Sequence, residues 1–170
     1  HKDRLRIYTV FEGALIMEKI IYLRPLHFVD IICDYGAGTD EFTPHPYGHA
    51  IHIVANRILN DKESILEITF DPDDVCVPCS HNINGACDNV IDRSFRPSAP
   101  RLMRDWDLLV NQRWCERLKI KEGERYTARE LCQRLRDRAG DITGIFPEII
   151  DGRIALKDKN MREGIRKYLE

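Results

Sequence analysis

Short stretches of the chain carry the apolar patterns that predict β-strands. Residues 5–11 partly alternate apolar and polar side chains, and residues 20–23 form a second short apolar stretch. Within residues 64–70, apolar side chains at every second position alternate with Glu67 and Thr69. Side chains at every second position share one face of a strand, so these stretches suit a small sheet. The third stretch leads directly into a loop that contains cysteines.

Apolar residues at helical spacing predict that helices make up most of the remaining chain. The predicted helices cover residues 25–33, 48–59, 101–118, 127–135 and a final stretch that ends at residue 169. Pro25 suits the first turn of a helix, and Thr127 with Glu130 forms a capping box. Asp158 or Asn160 is the expected cap of the last helix. The pattern predicts an α+β fold, a mostly helical single domain with a small β-sheet and a cysteine-rich metal loop.

Composition and charge limit the classes of protein that the chain can represent. A chain of 170 residues with 43% hydrophobic and 32% charged residues suits a globular domain with its own core. The formal net charge of −2 lacks the strongly basic balance of a nucleic-acid-binding protein. No apolar run approaches the roughly 20 residues that a membrane span requires. We therefore expect neither nucleic acid nor a membrane as a partner.

The first residues of the chain do not have the pattern of a secretion signal. They are charged, and the apolar stretch behind them is interrupted by Glu12 and Gly13, so we expect a cytoplasmic protein. Met17 resembles a natural start of translation. We therefore expect residues 1–16 to be an N-terminal extension and residues 17–170 to form a single metal-binding domain.

The most informative motif is a group of cysteines after the third predicted strand. Cys76 and Cys79 are separated by two residues, a spacing that lets two thiolates face one ion in zinc and iron–sulfur sites. Asn84 and Gly85 favour a tight turn, which would bring Cys87 back to this pair. Without a secretion signal, such thiols are expected to be metal ligands rather than disulfides. The three sulfurs therefore predict a metal ion or an iron–sulfur cluster.

A fourth ligand is expected, because clusters and structural zinc ions normally take four. Cys33 would complete an all-cysteine site, whereas His27, or Asp30 in its place, would complete a mixed site. On a helix at about 100° per residue, His27 and Asp30 share one face, and Cys33 lies about 60° from Asp30. Cys33 and His27 are therefore not expected to bind the same ion. Of the two, we prefer Cys33.

Further polar residues lie near the cysteines or near the predicted helix that carries Cys33. Arg24 is a candidate, together with His27 and Asp30, for contact with the cofactor or with an anionic substrate, and a structural salt bridge is the other interpretation of this arginine. Asp73 and Asp74 precede the cysteines. We expect their carboxylates to accept hydrogen bonds from the backbone amides of the loop.

Two remaining cysteines and the two tryptophans are predicted to lie in the core. Cys115 and Cys132 lie on predicted helices beside Trp114 and Leu131, so both are expected to be packed thiols. Trp106 and Trp114 fall on one broad helical face, which also predicts burial.

Three histidines form a second candidate constellation. His49 and His52 are three residues apart on a predicted helix, and His45 lies in the turn before it. Together they could bind a catalytic metal, with Glu41 as a nearby acid, in a metal-dependent hydrolase. A turn histidine and two histidines on the helix surface is the simpler interpretation, and we favour it.

Four motifs together resemble a known family. They are Arg-Pro-Leu-His at residues 24–27, Tyr-Gly-Ala-Gly at 35–38, Asp-Asp-Val-Cys-Val-Pro-Cys at 73–79 and Lys-Glu-Gly-Glu-Arg-Tyr-Thr at 121–127. Over roughly residues 20–135 the chain resembles an uncharacterised bacterial and archaeal family, domain of unknown function number 1284. Family members have a second histidine where this chain has Leu26, and a cysteine at the position of Asp30. The resemblance implies an iron–sulfur-binding role for Cys76, Cys79 and Cys87, and no known reaction.

These observations lead to two main hypotheses about function. The first is a cytoplasmic metalloprotein that binds an iron–sulfur cluster through Cys33, Cys76, Cys79 and Cys87, with an electron-transfer or redox role and a redox protein as its partner. The alternative is a zinc-stabilised binding module with a structural site of four cysteines, or of three cysteines and a histidine. The hydrolase that would use His45, His49 and His52 ranks below both.

Overall fold

The computed structural model describes residues 20–170 in full, and the strand pairing of residues 8–11 and 14–17 before them. Within these residues the strands are β1 (Tyr8–Phe11), β2 (Ala14–Met17), β3 (Ile21–Leu23), β4 (Ile65–Ile68), β5 (Asn82–Ile83), β6 (Ala86–Cys87) and β7 (Arg125–Thr127). The helices are α1 (Pro25–Gly36), α2 (Ile51–Asn60), α3 (Met103–Leu118), α4 (Ala128–Arg138) and α5 (Arg153–Leu169), with a short 3₁₀ turn at Thr143–Ile145 before α5.

The strands form three small sheets. β1 and β2 pair antiparallel, so the predicted strand at residues 5–11 is confirmed for residues 8–11, and residues 5–7 lie outside the described residues. In the second sheet β4 lies in the centre, parallel to β3 and antiparallel to β7. β5 and β6 form a separate hairpin in the cysteine loop. Together with the five helices this is an α+β fold, as the sequence predicts.

The helix predictions are confirmed except at the start of the last helix. Thr127 and Glu130 form both hydrogen bonds of the predicted capping box. Helix α5 begins at Arg153, so Asp158 lies inside it and the prediction that Asp158 or Asn160 caps the helix is wrong. Asp151 accepts a hydrogen bond from the backbone amide of Arg153 instead, and Asp158 pairs with Arg162 one turn further along the helix.

Helix α1 lies at the centre of the core. Seven of its residues are buried, and it packs against α5 and α3. Trp106 and Trp114 of α3 are also buried, as are Cys115 and Cys132, so the predictions of packed cysteines and tryptophans are confirmed. None of the helices in the described residues combines the length and the apolar character that a membrane span requires.

Two glycines allow α1 and α5 to approach each other closely. A Cβ atom on Gly36 would lie 1.9 Å from the carbonyl oxygen of Asn160, and one on Gly164 would lie 1.9 Å from that of Ile32. Any side chain at either position would therefore force the helices apart. This contact fixes which face of α1 turns toward α5 and which face remains for the cysteine loop.

Candidate metal centre

The β5–β6 hairpin returns Cys87 to the other two loop cysteines. Its turn residues Asn84 and Gly85 have φ angles of 52° and 82°, a left-handed conformation that asparagine and glycine tolerate best. The register places Cys87 opposite Asn82, and the amide of Asn82 donates a hydrogen bond of 2.9 Å to the carbonyl oxygen of Cys79. The turn predicted from the sequence is confirmed.

A cleft of about 580 Å³ lies beside this hairpin, between the cysteine loop and helices α1, α3 and α5. The groups that line it and are able to bind a metal or transfer a proton are His27, Asp30, Asp34, His45, His49, Cys76, Cys79, His81, Cys87, Asp107 and Lys157. Three of the four predicted cysteine ligands therefore face one cavity, together with His27.

Asp73 connects the start of α1 to the cysteine loop through a fully buried carboxylate. Its Oδ2 accepts hydrogen bonds from the backbone amide of Arg24 (2.8 Å) and from Nδ1 of His27 (2.6 Å). Its Oδ1 accepts bonds of 3.1 Å from the amides of Val75 and Cys76. The predicted role of Asp73 in capping the loop amides is confirmed, whereas its bond to His27 was not foreseen.

Charge interactions stabilise the ionised forms of both His27 and Asp73. Burial lowers the pKa of His27, but the Asp73 carboxylate outweighs this and the pKa is raised overall. Burial raises the pKa of Asp73, but the His27 ring and its own hydrogen bonds lower it overall. A ring nitrogen of His27, a carboxylate oxygen of Asp73 and the sulfur of Cys76 lie within 4.8 Å of one another, the one such group of three metal-binding side chains in the described residues.

Arg24 contacts both an acid and a candidate ligand. Its guanidinium pairs with Asp107 at 3.3 Å, which confirms the structural salt bridge, and the same Nη1 lies 3.8 Å from the sulfur of Cys76. Burial raises the pKa of Asp107 to about 6, although His27 and Arg24 favour its charged form. Burial and the Asp73 charge likewise raise the pKa of the Cys76 thiol. Cys76 thus retains its proton unless a cation replaces it.

Helix α3 supplies two buried polar side chains that the sequence analysis missed. Asp107 pairs with Arg24, and Oδ1 of Asn111 accepts a hydrogen bond of 2.8 Å from the amide of Leu26, in the first turn of α1. Asp107 and Asn111 are four residues apart, on a helix whose neighbouring residues Trp106 and Val110 are also buried. A polar pair at this spacing beside buried apolar residues is the signal that could have identified them.

Cys33 does not line the cleft. It is buried against α5, where its sulfur lies 3.8 Å from the carbonyl oxygen of Lys157, and burial raises the pKa of its thiol to about 12. Asp30 and His27 lie on the cleft side of α1, and Asp30 pairs with Lys157 at 2.5 Å. The predicted separation of Cys33 from His27 around the helix is what the structure shows. The preference for Cys33 as the fourth ligand gains no support from this placement.

The second histidine constellation is not arranged as a metal site in the described part of the chain. The rings of His45 and His49 stack with centroids 4.2 Å apart, while His52 lies outside the cleft. Burial, with the neighbouring His45, lowers the pKa of His49. Tyr47 contacts His45 and His81, so these side chains form an aromatic rim on the cleft. The hydrolase hypothesis therefore lacks a three-histidine site.

The fold and the cleft define an α+β protein with a candidate metal centre of cysteines and a histidine. The chain belongs to the family described as protein of unknown function (DUF1284), which matches residues 44–145, more than half of the 170 residues. No curated protein and no solved structure gives a significant match. The matched residues contain the whole cysteine loop, while α1 with His27 lies before them.

Proposed function

We propose that this protein binds a metal centre in the cleft through Cys76, Cys79, Cys87 and His27, and that the centre is an iron–sulfur cluster. The observation that carries the proposal is the convergence of these three thiols and one imidazole on a single cavity. A cluster at this place would supply electron-transfer or redox chemistry, with a redox protein as the partner. A cytoplasmic location, where thiols stay reduced, suits these ligands.

The surroundings of His27 suit a ligand role. Metal-binding histidines almost always donate their second ring nitrogen to a carboxylate or a carbonyl, which fixes the orientation of the ring. Nδ1 of His27 makes such a bond with Asp73, which leaves Nε2 for the cleft. Asp73 itself accepts four hydrogen bonds, which use the lone pairs of both its oxygens, so it orients His27 rather than binding the metal.

The spacing of the cysteines favours a cluster over a single zinc ion. Around one tetrahedral zinc with bonds of about 2.3 Å, ligand sulfurs lie about 3.8 Å apart. In the described residues, the sulfurs of Cys76, Cys79 and Cys87 do not all three lie within 4.8 Å of one another, although all three residues line the cleft. A cluster distributes its thiolates over several iron atoms, so it accepts the wider spacing.

Metal and sulfide analysis of protein purified without oxygen tests this proposal. We expect iron, acid-labile sulfide and visible absorbance. Cys79→Ala and His27→Ala should each lower the iron content, whereas Cys33→Ala should retain it because Cys33 faces α5. Colourless protein with one tightly bound zinc would contradict the cluster and favour a structural zinc site. Loss of iron in Cys33→Ala would contradict His27 as the fourth ligand and favour the all-cysteine ligand set.

A second candidate function uses the same residues without a metal. Asp73, His27 and Cys76 follow the order acid, base and nucleophile of a thiol-dependent enzyme, with the Asp73–His27 hydrogen bond at 2.6 Å. Because burial raises the pKa of the Cys76 thiol, His27 would have to remove its proton during the reaction. This function requires that the purified protein hold neither iron nor zinc. It further requires that iodoacetamide alkylate Cys76 faster than Cys79, and that His27→Ala remove the difference.

A further inference from the structure

The cleft extends beyond the cysteines along a wall of two aromatic side chains with a cationic side chain at each end. The guanidinium of Arg96 lies 5.1 Å from the ring centroid of Trp106, and the ring of Trp106 lies 6.4 Å from that of Phe146. The ammonium of Lys157 lies 5.4 Å from the centroid of Phe146. All four residues line the cavity, whose volume of about 580 Å³ lies in the range of small-molecule sites.

Arg96 is held rigidly, although its charge is not neutralised by an ion pair. Its Nε donates a hydrogen bond of 2.8 Å to the carbonyl oxygen of Asp92, and its guanidinium carbon lies 4.9 Å from the ring centroid of Phe95 and 5.1 Å from that of Trp106. Among the described residues, neither terminal nitrogen of Arg96 has a hydrogen-bonding partner or a carboxylate within 4.0 Å. A fixed guanidinium of this kind can bind both oxygens of a carboxylate.

The charged groups that face Arg96 are already engaged elsewhere. These groups are Asp92, Asp107 and Arg153. Asp107 pairs with Arg24, Arg153 pairs with Asp151, and the Oδ1 atom of Asp92 accepts a hydrogen bond of 2.8 Å from the amide of Ser94. At the other end of the wall, Lys157 pairs with Asp30. Arg96 therefore remains the cation of this wall that is able to receive an anion.

We propose that this part of the cleft binds a small organic molecule through a carboxylate on Arg96. The apolar side chains of the lining would receive the body of the molecule; they are Leu26, Phe42, Ile51, Val75, Met103, Phe146 and Ile149. This mixture of one fixed cation with an apolar lining is typical of small-molecule sites and excludes a bare inorganic anion as the best ligand. The inference goes beyond the proposed metal centre and does not require the metal.

Calorimetric titration of the full chain with phenylacetate tests this site, with acetate, inorganic phosphate and benzyl alcohol as comparison probes. We expect saturable binding of phenylacetate that is tighter than the binding of acetate or phosphate. Benzyl alcohol, which keeps the ring but lacks the charge, should bind at least about tenfold more weakly. Arg96→Gln should weaken phenylacetate binding at least about tenfold, and Arg96→Lys should give an intermediate affinity. Arg104→Gln is the matched control, because Arg104 is exposed and does not line the cleft.

Three results would overturn the inference: unchanged affinity in both Arg96 variants, tighter binding of phosphate than of phenylacetate, or no saturable binding of any carboxylate at millimolar concentration. Thermal unfolding of each variant verifies that it is folded. If Arg96→Gln does not fold, Arg96→Lys still tests the site. Metal content measured on the same samples separates this inference from the proposed function. Phenylacetate binding through Arg96 supports the inference whether or not metal is present, whereas the proposed function depends on the metal and sulfide content alone.

Discussion

Asp73 is the residue on which the geometry of the candidate centre depends. Its carboxylate orients His27 and caps the amides of the loop that carries Cys76. In Asp73→Asn, an NH₂ group replaces one of the two acceptor oxygens and faces N–H donors, from which it cannot accept a hydrogen bond. We expect about 10–100-fold weaker metal retention, because residues that orient metal-binding histidines have effects of this size.

The measurement for Asp73→Asn is metal content after dialysis against a graded series of chelator concentrations. Asp74→Asn is the matched control, since Asp74 accepts a hydrogen bond from the amide of Tyr22 and the asparagine carbonyl can still do so. Metal retention equal to that of the control would show that His27 does not need Asp73.

Glu148 gives the protein an acid-sensitive contribution to stability. Burial raises the pKa of Glu148, but its paired hydrogen bonds with Arg113, at 2.7 and 3.0 Å, lower it overall. A lowered folded-state pKa stabilises the fold above the unfolded value of 4.5 and loses this effect as the pH falls through the folded value. We expect Glu148→Gln to lower the free energy of unfolding at pH 7 by about 1–3 kcal/mol.

Urea unfolding at a series of pH values from 7 into the acid range checks this prediction, because the difference between Glu148→Gln and the native chain should shrink as the pH falls below 4.5. Glu163→Gln serves as the control, since Glu163 pairs with Arg166 on the exposed face of α5 and should change little. A difference that persists unchanged in acid would contradict the pH dependence.

At the scale of elements, the crossing of α1 and α5 is the most sharply constrained contact. A Cβ on Gly164 would meet backbone atoms of Ile32, which cannot rotate away as a side chain would. Gly164→Ala should therefore lower the free energy of unfolding by about 1–3 kcal/mol, although alanine is the better helix former. Gly152→Ala is the control, because no atom lies within 4 Å of a Cβ there. Equal stability of the two variants in urea unfolding would contradict the close approach.

The elements that could be predicted from the sequence are those whose signals are local. Thr127 and Glu130 satisfy the first turn of α4 within four residues of chain, and Asn84 with Gly85 sets the hairpin turn by their own φ angles. The start of α5 could not be read this way. Asp158 has the residue type of a cap, but the N-cap position is Gly152, which has no side chain to indicate it, and Asp158 pairs with Arg162 along the helix.

At the scale of the whole molecule, local sequence signals predict one part of the candidate site and not the other. Cys76, Cys79 and Cys87 converge through a short loop, so their spacing was informative. The choice between His27 and Cys33 depends instead on which face of α1 packs against α5, and that is decided by Gly36 and Gly164, far apart in sequence. Helical angles separated the two candidates correctly, but they carry no information about which face meets the loop.

The placement of the centre at the edge of the core leads to a last prediction, that metal removal loosens the protein without unfolding it. The helices α1, α3, α4 and α5 share one buried cluster that includes none of the three loop cysteines. A chain of 170 residues can bury a sufficient core without a metal, unlike small zinc-dependent domains. Chelated protein should therefore keep its helical circular dichroism and a cooperative urea transition.

Its urea midpoint should nevertheless fall, since a metal bound to the folded state alone stabilises by about 4 kcal/mol at a thousandfold excess over the dissociation constant. Trypsin should cleave after Arg93 and Arg101, in the segment that follows Cys87, faster in the metal-free protein. Cys132→Ala, a change in the core on α4, is the control and should leave the chelator-dependent difference intact. Loss of helical signal on chelation would mean that the cysteine loop organises the core, because a core that folds independently of the loop keeps its helices when the loop is released.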